Sequence, residues 1–586
     1  MTTFLEAVHL LHDVDAPLYA RSAANAWLVS FAEDPAAPQQ CVALLSSAAS
    51  GAHVPETALV FAAGVVATAA MAAGLSSASP LLELCRSLPS RAAVTRLAGA
   101  AAAVAATGQV EGDLLRAPAF QLLEMTRQLV VLDALAQHLE GLASAEELAC
   151  RPSFGNACRL AVALIESALL TSMDPPTEPH ATQDGPAATA APVDATLRCL
   201  GSWAACGFSF GQLVDEHAAL LGMLLVLVRR GLFPDVPDEA SDSQGASVGA
   251  AEAREARATL QASLAACAIR DCLQCSMDLG EEIEIAGCAH LLHLVAALGG
   301  RAAQLGAPRV DALGSSDGGG AISDELSQLA GAIGAIAGLL LELLLEPLIE
   351  TVQGAAVASQ SPDGESASHL FGLLNVLLAC TSHTLSGPAE VAAAGWISLA
   401  SALPPRASGG SKWEQGGALA TWRQQVFTRL LEVMISRCSR SHLRRGTGED
   451  LEDLESFRQR CAAPLFVVCS EQLGGARWLH LLAAGLRPTG DCGHMNAGGC
   501  DCFPPAVSGL DPEMVEVLLF AASSTSPRCL AAEAEAGAEG RLSEAFYHLA
   551  ARFARWAGTL GPQWPGVLQH AKACQSAIAG AQQIEQ

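Results

Sequence analysis

The stretch Ala24-Asn25-Ala26-Trp27-Leu28-Val29-Ser30-Phe31-Ala32-Glu33-Asp34-Pro35-Ala36-Ala37-Pro38 decides the fold. Ala24, Trp27, Leu28 and Phe31 recur at i, i+3, i+4 and i+7, which is one face of an α-helix and no face of a strand. Pro35 and Pro38 then end that helix and pre-set the start of the next, because proline lacks an N–H and is tolerated only near a helix beginning. The same grammar repeats at once. Pro55-Glu56-Thr57 opens a second stripe of Val54, Ala58, Phe61, Ala62 and Val65, with a carboxylate at the positive end of the helix dipole. Phe4 to Ala70 therefore reads as a helix-turn-helix unit that the chain repeats.

Working outward, amphipathic helices are predicted over Leu81 to Leu88, Arg91 to Ala106, Phe120 to Leu142 and Phe154 to Met173. A Pro, Ala and Thr-rich stretch from Pro175 to Pro192 reads as a surface loop. Leu200, Trp203, Ala204 and Gly207 then return to helical spacing, with Gly201 admitting a close neighbour. Further helices are expected at Leu264 to Leu279, Ile283 to Leu298, Leu326 to Val352, Leu370 to Thr384, Val391 to Leu403, Thr421 to Arg437, Phe457 to Leu473 and Met514 to Ala522. Breaks are expected at Pro234 to Gly249, Ala307 to Gly320, Ser359 to Ser366, Pro404 to Gly417, Pro488 to Gly509 and Ser523 to Gly540.

A chain of 586 residues exceeds what one core supports, and no alternating β-branched runs occur. The expectation is an all-α chain, an α-solenoid of HEAT or armadillo type built from antiparallel helix pairs. Trp27, Trp203 and Trp396 each fall on an apolar stripe and are expected to be buried between helices.

Composition bounds the function. A net charge of -27 argues against nucleic acid, whose phosphates need clustered Lys and Arg, and favours basic partners. The mean hydropathy of +0.33 raises the question of a membrane span. However, Leu59 to Leu75 is mostly alanine, Ala218 to Val228 is short, and Leu329 to Leu348 carries Glu342 and Glu346, so no insertion is expected. The N-terminus has no basic n-region, so no secretory signal is read there and an intracellular protein is expected. The 19 cysteines are odd in number and scattered. Cys41, Cys85, Cys158, Cys199 and Cys380 sit on apolar faces and read as small buried hydrophobes.

Motifs for catalysis are weak. Cys267, Cys272 and Cys275 have a C-x4-C-x2-C spacing but fall on a helix. Cys492, His494, Cys500 and Cys502 offer zinc-type ligands at spacings tighter than usual, within a glycine-rich loop. Gly314-Ser315-Ser316-Asp317-Gly318 matches G-x-S-x-G without the strand that a nucleophile elbow needs. His290 and His293 share a helix face. No cofactor, metal or catalytic residue is expected.

Glu449-Asp450-Leu451-Glu452-Asp453-Leu454-Glu455 places five carboxylates in seven residues. It reads either as a surface steering a basic partner or as a solvated first helical turn. Arg437, Arg440, Arg444 and Arg445, just before it, are expected to neutralise it locally.

Several segments, in order along the chain, carry a family resemblance. His12-Asp13 to Asp15, Arg21, Ala24, Trp27-Leu28 and Phe31, then Val54 to Glu56-Thr57 and Phe61-Ala62-Ala63, resemble the N-terminal repeats of importin-beta-type nuclear transport receptors. The transportin-SR subfamily looks nearest, through Arg198-Cys199-Leu200-Gly201-Ser202-Trp203. Phe457-Arg458 after the acidic run and the Glu516 to Phe520 helix are weaker echoes.

The resemblance implies a non-catalytic karyopherin shuttling between cytoplasm and nucleus through the pore. It would hold Ran in its GTP form near its N-terminus, carry basic or Arg/Ser-rich cargo elsewhere, and take the Phe-Gly repeats of nucleoporins between outer helices. The implied Ran side is Glu56, Phe61, Gly64 and Thr68, and the implied acidic partner segment is Glu449, Asp450, Glu452, Asp453 and Glu455. Where the family has polar residues after Phe-Ala-Ala, this chain has Gly64, Val65, Ala67 and Ala69. The implied organisation is Ran-side repeats over 1–150, central repeats over 151–487, a Gly/Cys-rich insertion over 488–511 and further repeats over 512–586, shortened relative to the family. The alternative is an α-solenoid scaffold that joins other proteins without Ran.

Overall fold

The computed structural model describes residues 2–73, 78–173, 191–232, 248–299, 319–357, 364–383, 386–403, 417–439, 451–474 and 512–535, with a few isolated positions at 477–478, 481–482, 569–570, 572–573 and 576. The described residues are 88% helical and include no strand. Helices pack against sequence neighbours throughout, which is the arrangement of an all-α solenoid. The chain divides into two compact units between Ile283 and Glu284.

The first unit holds α1 (Thr2–His12), α2 (Leu18–Glu33), α3 (Ala37–Ala49), α4 (Glu56–Ala72), α5 (Ser79–Ser87), α6 (Arg91–Gly108), α7 (Glu111–Arg116), α8 (Pro118–Gln121), α9 (Met125–Leu142), α10 (Ala145–Ala149), α11 (Pro152–Met173), α12 (Ala191–Cys206), α13 (Phe210–Asp215), α14 (Ala218–Leu232) and α15 (Val248–Asp278). Two layers result. Helices α4, α6, α9, α12 and α15 lie side by side in one, and α3, α5, the short α7 and α8, α11 and α14 form the other. The punctuation is visible in the starts: Pro38 and Pro80 sit in the first turns of α3 and α5, and Pro55 precedes α4. Ser90 caps α6 by accepting from the Ala93 N–H, and Ser144 and Ser209 form capping boxes with Glu147 and Gln212. Gln109, at φ 53, ends α6 in the left-handed conformation.

The second unit holds α16 (Ile285–Gly299), α17 (Gly319–Val357), α18 (Gly364–Thr381), α19 (Ser386–Ala402), α20 (Gly417–Arg437), α21 (Leu451–Phe457), a π-helical turn (Arg458–Ala462), α22 (Ala463–Leu473) and α23 (Pro512–Glu535). Here α17, α19, α22 and α23 make one layer, and α16, α18 and α20 the other. Close approach is needed where α17 crosses α19: a Cβ added at Gly395 would lie 3.0 Å from the Gly338 Cα. Pro152–Met173 and Leu326–Leu348 are long and apolar enough to cross a membrane by length and composition, yet 67% of the second is buried among neighbouring helices.

Three expectations are corrected. Trp27 is 39% exposed and stacks on Phe31 at 5.3 Å, while Ala24 and Leu28 carry the buried face of α2. Phe120 to Leu142 is interrupted between Gln121 and Met125, where the Gln121 side-chain amide donates to the Leu115 carbonyl and the Gln128 amide joins the Leu123 N–H in donating to the Phe120 carbonyl. Ser523 to Glu535 continues α23 instead of breaking it, and the Ser523, Ser524 and Thr525 hydroxyls bond back to carbonyls of Phe520 and Ala521. Trp203 and Trp396 are fully buried as expected, as are Cys41, Cys85, Cys158, Cys199 and Cys380.

Candidate functional site

Two surfaces of the first unit could take a partner. The first is a groove of about 790 Å³ between α3 and α5, floored by α4. Val42 contributes one wall, Pro80, Leu81 and Leu84 the other, and Val66, Ala69 and Ala70 the floor, with Ser46, Ser50, Glu83 and Ser87 at the rim. The lining is apolar with a thin polar edge, the composition of a slot for an aliphatic or aromatic side chain. Sequence makes the slot in two ways. The alanines of α4 leave the floor low, and Pro38 and Pro80, at the starts of α3 and α5, line the walls without presenting an N–H.

The α5 wall is anchored from behind. Arg127 on α9 donates to the carbonyl oxygens of Cys85, Arg86 and Leu88, satisfying the C-terminal end of α5 with a fixed charge favourable to the dipole. Cys85 lies beneath this wall, and burial pushes its thiol up to about 12, so it packs as a neutral group.

The second surface is the α4 face that continues onto α6. Glu56 accepts a hydrogen bond from the Ser90 hydroxyl at 3.1 Å, which ties the first turn of α4 to the start of α6. Phe61 is half-buried against Phe4, with ring centroids 5.7 Å apart. Thr68 is exposed but its hydroxyl donates to the Gly64 carbonyl at 3.0 Å. Gly64 lies under Arg96 of α6: a Cβ there would stand 3.1 Å from a guanidinium nitrogen. Phe61, Gly64 and Thr68 thus share one stripe, whereas Glu56 is engaged at the helix start. Arg96 belongs to this surface although nothing in the α4 sequence reveals which side chain crosses from the next helix.

The Arg198 to Trp203 segment lies within α12. Trp203 is buried and stacks on Phe154 at 6.1 Å, Cys199 and Leu200 are buried, Ser202 donates to Asp133 of α9 at 2.7 Å, and Gly201 faces Asp271 of α15. Its residue types are accounted for by packing between α9, α11 and α15, with Arg198 alone exposed.

In the second unit Glu452 and Asp453 occupy the first turn of α21, where the dipole favours acids, and Glu455 lies 3.5 Å from Arg458. All three are exposed. Glu449 and Asp450 lie outside the described residues, as do Arg440, Arg444, Arg445, the Gly314 to Gly318 motif and Cys492, His494, Cys500 and Cys502. Cys272 and Cys275 are buried one turn apart on α15, with the Cys275 thiol pushed up by burial to about 12. Among the described residues no group of three or more His, Cys, Asp or Glu is placed to hold a metal ion.

No protein-family model matches the chain, and no curated protein matches it.

Proposed function

We propose that the chain is a non-catalytic nuclear transport receptor that shuttles between cytoplasm and nucleus, carrying a basic or Arg/Ser-rich protein cargo under control of Ran-GTP. The observation that carries the reading is the α3/α5 groove: its apolar floor and walls suit the phenylalanine of a Phe-Gly nucleoporin repeat inserted between two helices of one layer. Support also comes from the karyopherin-like segments, which fall in order along the chain on α2, α4, α12, the junction of α21 with the π-helical turn, and α23. A net charge of -27 suits basic cargo.

A scaffold without Ran is the second reading, favoured by one feature. The position that is polar in the family is Gly64 here, and Arg96 lies across it.

The test is binding of the purified chain to Ran carrying a non-hydrolysable GTP analogue, against Ran-GDP, at two salt concentrations. Selective binding of the GTP form supports the receptor. A folded, helical chain that binds neither form overturns it and leaves the scaffold.

A further inference from the structure

The His293 and His369 rings meet between α16 and α18, with Nδ1 of the first 3.3 Å from Nε2 of the second and ring centroids 4.8 Å apart, edge to face. His293 is exposed and His369 is 5% exposed, so the pair has one ring fixed in the helix interface and one open to solvent. Two imidazole nitrogens bound to one tetrahedral zinc, each at about 2.0–2.1 Å, stand about 3.3–3.4 Å apart. The separation is therefore that of two ligands on one ion, and it joins helices from different turns of the chain.

We propose that His293 and His369 form a two-histidine clamp for a borderline divalent transition metal of the zinc class, locking α16 to α18, with water completing the coordination shell. Imidazole suits such ions, and neutral rings are the ligating form. Without metal, one ring donates its proton across the 3.3 Å contact. With metal, the donor ring's proton passes through solvent to its outer nitrogen, so that His293 carries its proton on Nε2 and His369 on Nδ1 and both facing nitrogens offer lone pairs. The rival site is local: His290 is also exposed, three residues before His293, and residues three apart are neighbours on a helix surface.

The experiment is titration of the full chain with cobalt(II), a visible surrogate for zinc, compared with His293→Ala, His369→Gln and His290→Ala. Imidazole ligation gives d–d absorption, whereas the chain's cysteines, if they bind, add a thiolate charge-transfer band. The expected result is one imidazole-ligated cobalt in the wild type, weakened roughly tenfold or more in His293→Ala and His369→Gln and unchanged in His290→Ala. His293 is exposed, so its alanine variant keeps the fold even if the buried His369 variant does not. Equal binding by wild type and His293→Ala overturns the clamp. So does loss in His290→Ala that matches His293→Ala while His369→Gln still binds, which would place the ion on one helix surface.

Discussion

The Arg458 guanidinium lies 3.0 Å from the Glu516 carboxylate, with both side chains 2% exposed. Arg458 also donates to the Cys438 carbonyl from Nε and Nη2, at 3.1 and 2.7 Å, and stands over the Phe520 ring. One buried pair thus fixes the π-helical turn, the end of α20 and the start of α23 together. Removing Glu516 leaves the buried Arg458 only the half-exposed Glu455, at 3.5 Å, as a counter-charge: Glu516→Gln is expected to cost about 3 kcal/mol. The double replacement Arg458→Met with Glu516→Leu should recover most of that loss. Urea denaturation of the two variants checks it, and a double variant as unstable as the single one would contradict the argument.

Two glycines of α14 should respond with opposite signs. A Cβ at Gly231 would collide with the Ala262 side chain and stand 2.9 Å from the Ala258 carbonyl oxygen, so Gly231→Ala is expected to destabilise by about 1–3 kcal/mol. At Gly222 a Cβ meets nothing within 4 Å, and Gly222→Ala is expected to stabilise by about 0.5–1 kcal/mol through helix propensity. Thermal unfolding of both variants measures the contrast.

The tryptophans divide in the same way. Trp396 is fully buried and its indole N–H donates to the Thr381 hydroxyl at 3.0 Å, so Trp396→Ala is expected to cost about 3–5 kcal/mol. Trp27, at 39% exposed, stacks on Phe31 at the surface, and its alanine variant should lose less, about 1 kcal/mol. Equal losses in denaturant titrations would show that Trp27 is covered in solution.

Alkaline pH should loosen the protein. Burial pushes the thiols of Cys206, Cys288, Cys380 and Cys438 up to about 12, and those of Cys41 and Cys461 to about 11. A raised folded-state value means that the unfolded chain releases these protons first. The stabilising contribution is therefore complete below about 8.5 and is lost as pH rises towards 11–12, by about 1.4 kcal/mol per pH unit for each thiol within that window. A urea midpoint that falls between pH about 8 and about 10, at constant ionic strength, is the expected result.

The groove gives a prediction tied to function. Val42 is 37% exposed on the α3 wall, so Val42→Asp should leave stability within about 0.5 kcal/mol. It should nevertheless weaken binding of a Phe-Gly repeat peptide roughly tenfold, by placing a solvated charge at the entrance. Fluorescence anisotropy of a labelled peptide checks it, with Val29→Asp, on exposed α2 surface away from the groove lining, as the control.

Much of the fold was legible because proline and glycine punctuate it. Pro38, Pro55 and Pro80 announce α3, α4 and α5 in the sequence, and the apolar stripes at Leu200, Trp203 and Trp396 name buried residues correctly. What failed lacked such marks. The interruption at Leu122 to Glu124 contains no breaker, and the chain turns there through side-chain amides that only the fold brings within reach. The π-helical turn has a cause visible afterwards: Pro464, two residues past its end, cannot bond to the Arg460 carbonyl and crowds it, so the preceding turn widens. The groove escaped because it belongs to the spacing of three helices. Trp27 was misplaced because periodicity names a face without saying whether a neighbour covers it.

The pairing of each helix with its sequence neighbours has a consequence for biosynthesis. A hairpin of α3 and α4 can bury its shared face as soon as both have left the ribosome, without waiting for residues hundreds of positions later. Nascent chains halted after α6, α9 and α12 should accordingly gain protease resistance in steps, each newly synthesised pair sealing the apolar edge left open by the one before.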